Sequence, residues 1–203
     1  MANIKVSKRT ETQRVLLEAA KSIVLSDGHE AVTVRRVADL TGYSYPIMYH
    51  YFKDLNALLW TLRLEMIGDM VMDLKKATPP PTGAHKAALI SQIKEIFHLY
   101  AQYFFKHPTV FRFFYFHNFS KPEDDQEYTL LEASFSEGWF ETFGGLVKLG
   151  VLSADAVEIV AKTIIYSLEG MIMLSLSKNG SLTENDVYEE LNQLISYLLK
   201  MEG

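Results

Sequence analysis

Hydrogen-bonding side chains crowd the short stretch from residue 44 to residue 53. They are Ser44, Tyr45, Tyr49, His50, Tyr51 and Lys53. Hydroxyl, imidazole and ammonium groups of this kind bind phosphate oxygens and the edges of bases. Pro46 and Ile47 add apolar surface of the sort that contacts thymine methyl groups. The stretch therefore predicts reversible recognition of duplex DNA rather than covalent chemistry.

Two short helices joined by a glycine turn would position these side chains. The first helix follows Thr33, which can cap its free amides, and its apolar residues Val34, Val37, Ala38 and Leu40 are expected to face a core. Gly42 supplies the positive-φ corner that two steeply crossing helices need. The second helix, residues 45–51, is too short and too polar to be explained by core packing alone. This geometry places a helix in the major groove, although similar turns occur in proteins that never bind DNA.

The charge is distributed in a way that favours DNA binding at the N-terminal end. The whole chain carries −5, but residues 1–63 hold nine Lys or Arg against six Asp or Glu, which gives +3. Residues 64–203 hold eleven against nineteen, which gives −8. Thr33 and Arg35 begin the first of the two helices, where free amides and a guanidinium can hold a phosphate.

The sequence around the turn resembles the TetR family of bacterial transcription regulators over residues 10 to 62. The matching residues are Val15, Leu16, Ala19, Ala20, Ile23, Val24, Asp27 to Arg35, Gly42 to Ser44, Tyr49 to Lys53 and Ala57 to Leu59. The resemblance implies an all-α protein of about nine helices. It implies a three-helix helix-turn-helix DNA-binding domain at residues 1–53 and a helical effector-binding and dimerisation domain at residues 54–203.

The resemblance also implies individual roles in the second helix. Base edges would be contacted by Tyr45, Pro46 and Ile47, and phosphates by Tyr49, Tyr51 and Lys53. Met48 and Phe52 are expected to pack the small domain instead, because they are large and apolar. Leu55 departs from the family, which often has Lys there near a phosphate.

The helical pattern predicts nine helices and no strand. Their expected ranges are about 10–27, 33–40, 45–51, 54–76, 84–106, 109–119, 126–148, 154–178 and 183–201. A capping box at Thr10 and Gln13 starts the first helix, and Gly28 ends it. Pro-rich residues 78–83 and acidic residues 120–125 predict loops.

Composition excludes several classes of site. The chain has no cysteine, so it has neither a disulfide framework nor a thiolate metal site. The polar N-terminus lacks the apolar run of a signal peptide, and no stretch approaches the roughly 20 apolar residues of a membrane span. We therefore expect a cytoplasmic protein with no membrane partner. His98, His107 and His117 do not share one helix face, so we expect no metal and no cofactor.

Eleven aromatic residues fall within residues 97–119, too many for one compact core without strain or a space between helices. They are Phe97, Tyr100, Tyr103, Phe104, Phe105, Phe111, Phe113, Phe114, Tyr115, Phe116 and Phe119. Such rings either fill the core or line a cavity for a small apolar ligand. Effector binding between the middle helices of the family favours the cavity. The expected ligand contacts are His98, Tyr103, Arg112, Phe114, His117, Trp139 and Tyr166.

The last two helices predict an interface. On the helix at residues 183–201 an apolar stripe is formed by Val187, Leu191, Leu194, Ile195, Leu198 and Leu199. On the helix at residues 154–178 the apolar residues cover well over half of the surface: Val157, Val160, Ala161, Ile164, Ile165, Leu168, Met171, Ile172 and Leu176. A helix that is apolar on more than one side must be buried on more than one side. A symmetric four-helix contact between two chains satisfies this requirement, as in the family's dimer. A buried central helix in a monomer is the alternative.

These patterns together predict a homodimeric, ligand-responsive DNA-binding regulator. We expect a repressor that a small, largely apolar effector releases from a near-palindromic operator. The alternatives are a helical ligand-binding protein, or an enzyme, in which the N-terminal unit is accessory. The sequence has no Gly-rich phosphate loop, nucleophile elbow or His-Glu-x-x-His motif, so we expect no enzyme.

Overall fold

The computed structural model describes residues 10–79, 85–120 and 126–199, and these residues form nine α-helices and no strand. The helices are α1 (Glu11–Asp27), α2 (Val34–Thr41), α3 (Tyr45–Tyr51), α4 (Leu55–Ala77), α5 (Lys86–Lys106), α6 (Pro108–Phe116), α7 (Gln126–Lys148), α8 (Val157–Leu176) and α9 (Glu184–Leu198). Single 3₁₀ turns precede α2 at His29–Ala31 and α8 at Ala154–Ala156. The all-α fold class is confirmed.

Four predictions lie partly or wholly outside the described residues. They are the polar stretch before residue 10, the Pro-rich break at residues 78–83, the acidic loop at residues 120–125, and the end of the last helix at residue 201.

Local side-chain chemistry sets the ends of the first two helices. The Thr10 hydroxyl accepts a hydrogen bond from the backbone N–H of Gln13 at 3.3 Å, and the Gln13 side chain accepts one from the Thr10 N–H at 3.0 Å. This is the predicted capping box. Gly28 ends α1 with φ of 87°, and Gly42 ends α2 in the left-handed region with φ of 72°. Both angles favour glycine, since a Cβ atom is strained there.

The chain packs as two compact units. The first unit consists of the described residues up to Val71 and of the segment His107–Glu132, and the second consists of the remainder. The first unit therefore holds α1 to α3, most of α4, α6 and the start of α7. The division at residue 53 between two domains stays a prediction.

In the first unit, α1 packs against α2 and α6. Two polar contacts reinforce the apolar core. The Thr109 hydroxyl, at the start of α6, donates to the Leu25 carbonyl of α1 at 3.3 Å. The Lys21 ammonium donates to Asp69 of α4 at 2.9 Å. Helix α1 thus connects α2 to both α4 and α6. In α2 itself, Val37 and Ala38 are buried as expected, but Leu40 is 58% exposed, so the expectation that Leu40 faces the core was wrong.

In the second unit, α5 packs against α8 and α9. Phe97 of α5 is almost fully buried. The Lys94 ammonium donates to the Ser196 hydroxyl of α9 at 2.8 Å, and the Tyr100 hydroxyl donates to Glu169 of α8 at 3.0 Å. These contacts fix α5 between its two neighbours.

Helix α8 differs from the expectation in one respect. Residues Ala154–Leu176 are long and apolar enough, by length and composition alone, to cross a membrane, so the expectation that no stretch approaches such a length was wrong. Only 28% of the most apolar window is buried within the chain. The apolar surface of α8 is therefore larger than its own unit covers.

Candidate nucleic-acid interface

The segment from Thr33 to Lys53 folds as the predicted helix, turn and helix. The Thr33 hydroxyl caps α2 by accepting a hydrogen bond from the Arg36 backbone N–H at 3.1 Å. Gly42 makes the corner, and its N–H donates to the Ala38 carbonyl at 2.9 Å. The side chain of Ser44, which precedes α3, makes no capping hydrogen bond. Its hydroxyl is exposed at the start of the candidate recognition helix.

One face of α3 is buried in the first unit. Met48 retains only 2% of its accessible surface, and Phe52, which directly follows α3, retains 5%. Their burial agrees with the expectation that these two residues pack the small domain. Because the helix has seven residues, these contacts rather than its own hydrogen bonds must hold it in place.

The opposite face of α3 is exposed. Tyr45 and Tyr49 keep 47% and 54% of their accessible surface. The other exposed residues of the predicted set are Ser44, Pro46, His50 and Lys53. Ile47 and Tyr51 are half-buried, and the ring of Tyr51 contacts that of His50 edge to face at 4.9 Å. The outer face thus presents hydroxyl, imidazole and ammonium groups together.

The start of α2 adds a second set of exposed groups. Thr33 and Arg35 are both exposed. The Arg35 guanidinium lies 3.8 Å from Asp39, but both side chains face solvent, so this ion pair is weak and can be exchanged for a phosphate. Arg36 instead bonds to Asp27 at the end of α1 and lowers the pKa of that carboxyl. Arg36 thereby fixes α2 on α1.

Leu55 begins α4 beside this surface. Asp54 caps that helix by accepting a hydrogen bond from the Ala57 N–H at 2.8 Å. Leu55 itself is half-buried. Because it is apolar, it supplies no charge at a position where the family often has Lys. On this side of the surface, the groups expected to bind a phosphate are therefore Lys53 and the N–H groups at the capped start of α4.

Sequence reasoning missed His29, the buried polar residue of the first unit. It retains 8% of its accessible surface. Its ring lies 4.9 Å from that of His117 and 5.9 Å from that of Phe113. Burial and the nearby His29 charge both lower the pKa of His117, while Glu30 opposes them. No local sequence pattern signalled this burial, because both ring partners lie more than 80 residues away in the sequence.

Sequence reasoning also missed Arg63 of α4. Its guanidinium carbon lies 5.6 Å from the Trp60 ring, 6.0 Å from the Phe114 ring and 5.3 Å from the Phe119 ring. A cation among ring faces is attracted by their quadrupoles. The sequence feature that could have pointed to Arg63 is that it is the single arginine in the largely apolar helix α4.

The residues predicted to bind a ligand fall into both units. In the first unit, Arg112 is exposed, Phe114 is buried, and His117 contacts His29. In the second unit, the Trp139 ring stacks on the Phe97 ring at 6.0 Å, the Tyr103 ring meets the Phe104 ring at 5.3 Å, and Tyr166 is 64% exposed. No single unit brings all seven side chains together, and the ligand assignments stay predictions.

His98 has an unusual environment in the second unit. Its ring lies 5.1 Å from that of Tyr188, and its Nε2 atom is buried without a hydrogen-bond partner. The Tyr188 hydroxyl donates to Glu184 at 2.7 Å. Burial, followed by this hydrogen bond, raises the pKa of Tyr188. Among the described residues no cluster of three His, Asp or Glu could hold a metal ion.

Comparison with known proteins agrees with this geometry. Residues 16–59 match the model of bacterial regulatory proteins of the tetR family. A protein assigned to the TetR-family transcriptional regulators of Syntrophomonas wolfei shares 16% identity and a TM-score of 0.67, covering 93% of this chain and 95% of that one. The fatty acid degradation regulator FadR of Bacillus halodurans shares 15% identity and a TM-score of 0.56, covering 93% and 96%. A search of curated proteins gave no match.

A helix-turn-helix with an exposed recognition helix, followed by a helical C-terminal region, defines a class of DNA-binding regulators. Within that class, residues 16–59 match the tetR family of bacterial regulatory proteins, and the chain shares the all-helical fold of TetR-family transcriptional regulators. The resemblance that the sequence shows is thereby confirmed.

The two faces of α3 predict opposite effects of truncation on folding. Met48→Ala should lower the free energy of unfolding by about 2–5 kcal/mol, because it leaves a cavity in the core. Tyr49→Ala, one residue further on the exposed face, should change it by less than about 0.5 kcal/mol. Urea unfolding of both variants measures the difference. Equal destabilisation would show that α3 does not present its tyrosines to solvent.

Proposed function

We propose that this protein is a transcriptional repressor that binds a near-palindromic operator as a homodimer and releases it on binding a small apolar effector. The observation that carries the proposal is the division of α3 into a buried face, at Met48 and Phe52, and an exposed face, at Tyr45 and Tyr49. A short helix anchored on one side and lined with hydrogen-bonding groups on the other fits the major groove.

Phosphate contacts would come from both helices of the motif. Thr33 and Arg35 stand at the start of α2, and Tyr49, Tyr51 and Lys53 stand along and after α3. Tyr45, Pro46 and Ile47 would meet the base edges. Because residues 1–63 carry only +3, one copy has little electrostatic affinity. Two linked copies would compensate, since the second domain binds at a high effective concentration.

DNA-binding measurements separate phosphate from base contacts. Affinity for a duplex selected from a random pool should fall steeply and linearly in log–log form as salt rises. Tyr49→Phe should weaken all duplexes by a similar factor, whereas Tyr45→Ala should also relax a base preference by about 1–3 kcal/mol. Tyr115→Phe, on the exposed surface of α6, serves as the matched control and should bind like wild type. Equal affinity of the wild type for selected and scrambled duplexes would contradict the proposal.

The dimer is proposed from the uncovered surface of α8. Ile159, Tyr166 and Met173 are 69%, 64% and 45% exposed, and their spacing of seven residues places them on one stripe. On α9, the predicted stripe residues Val187, Leu191 and Ile195 are buried within the chain, so they are not free for a partner, whereas Tyr197 is 61% exposed. Exposed apolar surface of this kind marks an interaction site, and a second copy of the same stripe would bury it symmetrically.

Charge placed on the stripe should separate the protomers without unfolding them. Ile159→Glu combined with Met173→Glu should give a folded monomer at concentrations where the wild type sediments as a dimer, because two chains would bury unpaired carboxylates. Leu149→Glu, an apolar residue that is 45% exposed beyond α7, should remain dimeric. A wild type that sediments as a folded monomer, or a double variant that remains dimeric, would refute this interface.

The effector is proposed from the aromatic side chains. Rings and few charges favour a ligand that is largely apolar and either planar or long-chain. The similar structure of a fatty acid degradation regulator makes long-chain acyl compounds the first class to screen. Helix α4 belongs to both units, so a ligand that shifts it would change the separation of the two recognition helices. A shift of a few ångströms prevents both from engaging half-sites that lie about 34–36 Å apart.

Ligand and DNA must weaken each other by the same factor if the protein is a switch. A compound that stabilises the protein thermally should therefore also release DNA. Trp139→Ala should weaken that compound by about 0.5–1.5 kcal/mol or more while DNA affinity without ligand stays unchanged. Phe140→Ala, the exposed neighbour, is the matched control. Ligands that stabilise the protein but never alter DNA affinity would contradict the proposal that effector binding controls DNA binding.

A further inference from the structure

His29 lies immediately before the DNA-binding motif. It begins the 3₁₀ turn His29–Ala31, in which the Val32 N–H donates to the His29 carbonyl at 3.1 Å. Thr33, the cap of α2, follows directly. A single turn separates His29 from the start of α2, where Thr33 and Arg35 are proposed to hold phosphate.

Two contacts fix α6 to this region of the first unit. At one end, the Thr109 hydroxyl bonds to the Leu25 carbonyl of α1 at 3.3 Å. At the other end, the rings of His117 and His29 meet edge to face at 4.9 Å. The His117 ring also contacts the Phe119 ring edge to face, with ring centroids 4.5 Å apart. Of the two contacts, only the one between the histidines can change its charge near neutral pH.

The surrounding charges do not offset the repulsion between protonated His29 and His117 rings. Glu30 is the nearest carboxylate, with an oxygen 3.9 Å from His29 Nε2, but its side chain is 87% exposed and its attraction is therefore screened. Asp27 of α1 is already bonded to Arg36. Arg112 of α6 is exposed, and Arg63 lies over the Phe119 ring; both are cations. Two positive imidazoles at this separation would repel each other.

We propose that the contact between His29 and His117 is a pH-sensitive joint, whose protonation separates the end of α6 from the turn before α2 and weakens DNA binding. The inference rests on the proposed function, since it concerns the regulation of the same DNA-binding surface. The joint is closed when the His117 ring is neutral, and it opens as that ring binds a proton.

The direction of the pH effect follows from linkage. Burial and the His29 charge lower the pKa of His117 below its ordinary value of 6.5 in the closed joint, while an opened and hydrated ring regains that value. The closed joint is therefore fully stabilised above this value and loses stability as the pH falls through the lowered pKa. DNA affinity should decline over the same range.

The test compares the pH dependence of DNA affinity at constant ionic strength for three proteins. Wild type should lose at least about fivefold more affinity than His117→Phe between about pH 7.5 and about pH 5.5, and the two should bind alike at the higher value. Phe keeps an aromatic ring in the cluster but cannot be protonated. His85→Asn, which keeps a side chain able to cap α5, should follow the wild-type profile.

Two further measurements keep the outcome decisive. If His117→Phe is not folded at neutral pH by circular dichroism, His117→Gln replaces it, with the same flattened profile expected. The unfolding temperature should fall more steeply with decreasing pH for wild type than for His117→Phe or His117→Gln, and this comparison needs no DNA. A wild type that binds no selected duplex at any pH contradicts the proposed function alone. Superimposable pH profiles of wild type and variant, in DNA binding and in unfolding, overturn the joint.

Discussion

Burial of Met48 and Phe52 is the interaction on which the DNA-binding surface depends. A helix of seven residues is unstable alone, so α3 exists because its inner face is packed in the first unit. The same packing fixes the direction of the outer face. Tyr45 and Tyr49 are exposed on a helix whose other face is anchored, and recognition of base edges requires hydrogen-bonding groups on such a supported element.

Because the N-terminal residues carry only a modest positive charge, DNA affinity depends on the surfaces that would join two copies of the motif. A motif with few cations gains affinity by presenting two copies at a fixed spacing rather than by attracting the backbone strongly. The stripe of Ile159, Tyr166 and Met173 on α8 is the surface proposed to join two chains. In the proposed switch, a ligand that alters the spacing of the two motifs acts on DNA affinity without touching the DNA.

Features that depend on neighbouring residues could be predicted from the sequence, whereas contacts between residues far apart in the sequence could not. The capping box at Thr10, the positive φ at Gly42 and the two faces of α3 follow from local chemistry and helical periodicity, and the structure agrees with each. The burial of His29 could not be predicted, because its partners on α6 lie more than 80 residues away in the sequence. Periodicity identifies an apolar face but not what that face meets. Arg63 was missed for this reason.

Sequencing the DNA that the wild-type protein selects from a random duplex pool tests the central claim most directly. The exposed face of α3, presented twice by a symmetric dimer, predicts enrichment of an inverted repeat whose half-sites are about one helical turn apart, or a multiple of it. A pool without any enriched sequence, or one enriched in a single unrepeated half-site, would contradict recognition of an operator by two copies of this helix.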